Sequence, residues 1–83
     1  MSESNEQTLA DVPAGRSAIV KKVRGGGSVS KRLMEMGIVP GIKIRVVKAA
    51  PFGDPIELRV RGYSLALRIS EAESVNVSGV MEE

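Results

Sequence analysis

The chemistry open to this chain is limited first by two side chains it does not have. Its 83 residues include neither cysteine nor histidine. Without cysteine there is no disulfide, no thiolate ligand and no thiol nucleophile. Without histidine the commonest general base and the commonest transition-metal ligand are missing. Oxygen chemistry remains, in Glu35, Asp54, Glu57, Glu71 and Glu73. Oxygen-only sets suit hard cations, whereas borderline divalent ions usually take imidazole or thiolate as well. These five carboxylates show no ligand spacing and read as solvated surface charge. A lysine or carboxylate can act as a base in principle, but no second group is placed to tune it. The sequence therefore reads as that of a non-enzymatic protein with no catalytic residues, resident cofactor or metal.

Two nitrogen-rich features are more suggestive. Gly25-Gly26-Gly27-Ser28-Val29-Ser30-Lys31 places glycines, serine and lysine before a helix, and helix N-termini attract anions. The spacing of a phosphate-binding P-loop is absent, as is a preceding strand of a parallel βαβ unit, so this segment reads as a flexible loop. Lys43, Arg45, Lys48, Arg59, Arg61 and Arg68 recur among aliphatic residues and are expected to project outward from neighbouring strands. Small basic barrels bind nucleic acid, usually with aromatic platforms for stacking bases. Here Phe52 and Tyr63 are the only aromatics, and both fall at expected turns, which disfavours nucleic acid.

Charge is segregated along the chain. Twelve basic residues against three acidic ones lie between Arg16 and Arg68, a net of +9, while residues 1–15 carry −3 and residues 70–83 carry −4. The overall +2 hides a basic body with acidic ends, suited to acidic partners or an anionic leaflet. The first seven residues are polar and acidic, read as a disordered tail, and do not resemble a signal peptide. No apolar run approaches the ~20 residues that span a bilayer, so a cytoplasmic location is expected, with contact at the inner face of the membrane open to the basic body.

The elements that must position these residues are short. Thr8 to Pro13 can form a turn that buries Leu9 and Val12, and Arg16 to Arg24 reads as a strand whose alternation slips between Ile19 and Val20, a sign of a bulge or of a strand buried on both sides. Ser28 to Met36 reads as a short helix, capped by Ser28 or Ser30. Gly37 suits the left-handed position that ends a helix, with Ile38 packing back on Leu33 as in a Schellman ending, and Pro40 blocks continuation. Leu33 and Met36 share a helix face; Met34 does not, and is expected to be partly exposed. Ile42, Ile44 and Val46, then Ile56, Leu58 and Val60, then Leu65, Leu67 and Ile69 alternate with mostly polar or charged residues, the signature of strands with one buried face. Gly62-Tyr63 reads as a tight turn, Ser70 to Ser74 as a single helical turn capped by Ser70, and Val75 with Val77 as a last strand. Five or six short strands in so few residues predict a small closed or nearly closed barrel.

Arg32-Leu33-x-x-x-Gly37-Ile38-x-Pro40-Gly41, then Pro51 to Pro55, then Gly62 to Arg68 with Glu71-Ala72 and Val75-Asn76-Val77, run in an order that resembles the FeoA family of ferrous iron transport proteins. The resemblance covers about residues 8 to 80. It implies a mainly β fold, a small SH3-like barrel of five to six short strands with one or two short helices, spanning residues 8–80 between tails at 1–7 and 81–83. It also implies a cytosolic accessory of ferrous iron uptake, a protein-interaction module acting on the GTPase domain of the FeoB transporter. On that reading the partner surface comprises Lys31, Arg32, Met34, Val39, Phe52, Gly53 and Asp54, shaped by Gly37, Pro40, Gly41, Pro51 and Pro55. Two alternatives stay open: a metal-responsive interaction domain like the C-terminal domain of iron-dependent repressors, or a basic barrel that binds nucleic acid. The oligomeric state is not legible.

Overall fold

The computed structural model describes residues 7–49 and 54–82. Phe52, Gly53 and Pro51, named above, lie outside them. Six strands are present: β1 (Gln7–Thr8), β2 (Arg16–Val23), β3 (Lys43–Ala49), β4 (Ile56–Val60), β5 (Tyr63–Leu67) and β6 (Val75–Glu82). Two helices join them, α1 (Gly27–Glu35) between β2 and β3, and α2 (Ile69–Ala72) between β5 and β6, with a 3-10 turn at Leu9–Asp11. The strands form one antiparallel sheet in the order β1-β6-β2-β3-β4-β5. β1 takes in Gln7, opposite Val77, and β6 runs to Glu82, so the sheet includes residues that the sequence reading leaves to the tails.

The alternating segments place their aliphatics on one face, as period-2 geometry requires. Ile44 and Val46, Ile56, Leu58 and Val60, and Leu67 are all buried. Ala18 and Val20 of β2 and Val75 and Val77 of β6 join them, and Leu9, Val12, Leu33, Ile38 and Ala72 complete a single core. Contributions from every strand but β1 mean the sheet curls around that core. The core is wholly aliphatic, the only kind this composition allows. The slip in β2 is a pair of register shifts against β6, between Ser17 and Ile19 and between Val20 and Lys22. The first shift puts the extra residue on β6 and the second puts it on β2; between them Ala18 and Val20 point inward and Ile19 is half-buried, as strand alternation requires. Arg24, after β2, donates through Nε to the buried Asn76 Oδ1 at 2.7 Å, fixing the β2–α1 link to β6.

Several sequence expectations are corrected. Neither Ser28 nor Ser30 caps α1: the cap is Gly26, extended at φ −66° and ψ 162°, with no side-chain bond. The Ser30 hydroxyl instead donates to the Gly27 carbonyl at 3.4 Å, within its own turn. β5 stops at Leu67, and Ile69 opens α2 rather than extending the strand. The cap of α2 is Arg68, not Ser70; Glu71 reaches back so that its Oε1 accepts the Arg68 amide at 3.0 Å. The tight turn is Arg61-Gly62, both at positive φ (51° and 92°), and Tyr63 is already the first residue of β5, opposite Val60. Two central residues at positive φ define the hairpin turn whose twist matches the strands.

The end of α1 follows the expected pattern. Gly37 has φ +97°. Its amide donates to Met34 O at 3.0 Å and the Ile38 amide to Leu33 O at 3.1 Å, the two bonds of a Schellman ending. Leu33 and Ile38 are both fully buried, so the apolar contact that goes with this ending is part of the core.

Gly37→Val is expected to destabilise the domain by about 2 kcal/mol, a fall of roughly 8–16 °C in melting temperature, because a β-branched residue resists this φ. A Cβ there would also lie 2.6 Å from Tyr63 Oη. An unchanged melting temperature contradicts the assignment of this cap. Conversely, Arg61→Asn relieves a left-handed conformation that asparagine tolerates better and should raise the melting temperature by roughly 2–4 °C; a lower value shows that the arginine stabilises the turn by other means.

Candidate functional site

Helix α1 turns one face to the core. Leu33 is buried, and Val29 and Met36 are half-buried against the cluster. Met34, two residues from Met36, is rotated away and is 43% exposed. Past the cap, Val39 is 37% exposed and Tyr63 is 45% exposed. These three are the exposed large apolar side chains among the described residues, and all flank the Gly37 cap. Met34 contributes the carbonyl that holds the Gly37 amide, Val39 follows two residues after Gly37, and Tyr63 donates its hydroxyl to the carbonyl of Met36. Tyr63 thus satisfies a carbonyl that the helix leaves without an internal partner, and ties α1 to the β4–β5 hairpin across 27 residues of sequence.

A groove continues from this patch. It is lined by Val39, Pro40, Gly41, Ile42, Lys43 and Arg61, with apolar residues and backbone along it and two cations at its rim. The loop that forms one wall is held to β2, since the Gly41 amide donates to Val20 O at 2.8 Å and the Val20 amide to Ile42 O at 2.9 Å. Gly41, at φ +93°, makes the bend. The other wall is the Arg61-Gly62 turn. The surface is therefore fixed by backbone bonds on both sides, which limits the ordering cost of docking a partner.

The residues expected at the partner surface divide into two groups. Met34 and Val39 lie at the patch, and Lys31 is exposed on α1. Arg32 and Asp54 are drawn instead to α2. Arg32 Nη2 lies 2.7 Å from Glu71 Oε2, joining the two helices, and Asp54 Oδ1 accepts the Ile69 amide at 2.9 Å, the first of α2. The arginine end of this pair is exposed and the carboxylate end is largely covered. Phe52 and Gly53 lie outside the described residues. Sequence reasoning did not assign Tyr63 or Arg61 to the site. The available signal was Gly62, which marks the hairpin turn. What Tyr63 bonds is set by the fold and not by its neighbours.

Among the described residues no three carboxylates converge into a cluster that could hold a metal ion, and no helix is long and apolar enough to cross a membrane. The site combines an exposed apolar patch with the cations Lys43 and Arg61.

Comparison with known proteins agrees along nearly the whole chain. A family model described as the FeoA domain matches residues 7–79. A Porphyromonas gingivalis protein named Fe(2+) transport protein A/Fe(2+) transporter FeoB fusion protein is 38% identical over 69 residues, which is 83% of this chain and 8% of that protein. The chain therefore spans less than a tenth of that relative. The solution structure of a FeoA-like protein from Clostridium acetobutylicum superposes with a TM-score of 0.85 at 40% identity, covering 94% of this chain and 91% of that one. The crystal structure of Stenotrophomonas maltophilia FeoA, complexed with zinc and described as a procaryotic SH3 domain protein, gives a TM-score of 0.77 at 37% identity over 87% of this chain and 89% of that one. With the capped helix, the strand order and the family match in agreement, the chain belongs to the FeoA family and has its SH3-like fold.

Proposed function

We propose that this protein is a non-enzymatic cytosolic accessory of ferrous iron uptake that docks on the GTPase domain of a FeoB-type transporter. The observation that carries the reading is the exposed apolar patch at the α1 cap, Met34, Val39 and Tyr63, held on a frame of backbone bonds. Its support from relatives is the fused protein, in which a FeoA segment shares a chain with a FeoB transporter. A domain fused to its partner in one protein is held at high effective concentration there; a separate chain must bind through its own surface. Iron is the transporter's cargo on this reading. Zinc is bound by the Stenotrophomonas maltophilia protein, but this chain has no thiolate or imidazole to offer such an ion. Its part is to hold the GTPase domain, and Met34 supplies an adaptable contact while Tyr63 supplies a rigid one.

The test is binding of the purified FeoB GTPase domain at low and moderate salt, with ferrous iron and an unrelated nucleic acid as controls. Saturable binding that survives moderate salt is expected, because apolar contacts are not screened. Met34→Asp and Val39→Asp should each weaken it roughly ten-fold or more, with folding checked by circular dichroism. Failure to bind that domain, together with tight salt-sensitive binding of the nucleic acid, overturns the proposal.

A further inference from the structure

A second surface lies on the opposite side of the β4–β5 hairpin. Val60 and Tyr63 are paired and face the core side of the sheet, so Arg59 and Ser64, the next pair, face outward. Arg59 also lies directly opposite Arg45 on β3, so two arginines share one cross-strand site on the outer face. Both are exposed. Like charges in that position oppose pairing of the strands. Beyond Val46–Leu58 and a register shift, Lys48 pairs with Glu57, the single carboxylate of β3 and β4 among the described residues. A locally unfavourable pairing thus keeps two cations together on the outer side of these two strands. The carboxylates that balance the molecule lie elsewhere, with Glu35 and Glu71 on the helices and Glu73 just after α2. A surface that served only solubility would intersperse the two signs.

We propose that the outer face of β3 and β4, centred on Arg45 and Arg59, docks on an anionic lipid surface. The neighbouring outward residues Ser64 and Ala66 of β5 are small and exposed, so the arginines stand clear of a low surface that a planar leaflet can approach. No aromatic lies on this face among the described residues, since Tyr63 points to the other side. Single-stranded nucleic acid is thereby left without the stacking platform it normally uses. Attraction between clustered basic side chains and anionic headgroups needs no such platform. Arg45 and Arg59 belong neither to the α1-cap patch nor to the groove beside it, so a lipid contact through them leaves that patch open to a protein partner. The lipid contact does not depend on what that partner is.

The experiment is flotation of the full chain with vesicles containing phosphatidylglycerol, compared with phosphatidylcholine vesicles, at low and high salt. Binding to the anionic vesicles alone, lost at high salt, is expected. Arg59→Gln should weaken it about five-fold, and Arg45→Gln with Arg59→Gln about 25-fold, at about five-fold per cation removed. Lys21→Gln with Lys22→Gln removes equal charge from β2 and should weaken it less than about three-fold. Because the double arginine variant removes a like-charge pair, its melting temperature should not fall, which separates lost binding from lost folding. No binding to anionic vesicles, or equal losses in the two double variants, overturns the proposal. So does an oligonucleotide that binds more tightly than the vesicles and loses affinity with the same arginines.

Discussion

Helix α1 is only nine residues long, and the placing of everything after it depends on how it stops. A left-handed residue at Gly37 reverses the chain so that Ile38 drops into the core beside Leu33, and the last carbonyls find donors within the turn. From there the chain reaches β2, to which Gly41 and Ile42 are bonded, before β3 begins. Tyr63 closes the arrangement from the far side by bonding the Met36 carbonyl. A helix this short is marginal in water by itself, so its persistence rests on these tertiary attachments. Moving the stop by one residue would turn Leu33 or Ile38 out of the core and shift Met34 and Val39 relative to the hairpin.

The same economy governs the two helices and the charges. α2 has four residues, and the amides at its start are met by side chains: its own Glu71 accepts from the cap residue Arg68, and Asp54, from before β4, accepts from Ile69. Glu71 also meets Arg32 on α1, so one carboxylate caps one helix and links it to the other. Asp54 and Glu71 are thus both engaged at the start of α2. Cations dominate the outer face of β3 and β4, and the apolar residues left over after the core is filled collect at the α1 cap. A domain with so small a core separates its surfaces in this way because it has no room for a deep cavity.

What the sequence discloses follows from how local each interaction is. The Schellman ending needs only Leu33, Gly37, Ile38 and the bonds between neighbours, and it was legible. So were the buried faces of β3 and β4, where alternation is unbroken, and the exposure of Met34, which follows from helical spacing. The bulged pairing of β2 was visible only as a slip at Ile19 and Val20. The start of α1 was misread because serine is the commoner cap and nothing local says that the Ser30 hydroxyl turns to Gly27. Ile69 continues a strand-like alternation by coincidence and begins a helix. The contacts of Arg32 with Glu71 and of Asp54 with the Ile69 amide were not legible, because those partners are far along the chain. Tyr63 was misplaced for the same reason.

The Tyr63 hydroxyl holds the α1 cap to the β4–β5 hairpin as one unit. Native-state hydrogen exchange at the Gly37 and Ile38 amides, in the wild-type protein and in Tyr63→Phe, tests it most directly. The account predicts strong protection of both amides in the wild type and a loss of about five-fold in Tyr63→Phe, the effect of one hydrogen bond of about 1 kcal/mol. Unprotected amides in the wild type, or protection that Tyr63→Phe leaves unchanged, would contradict it.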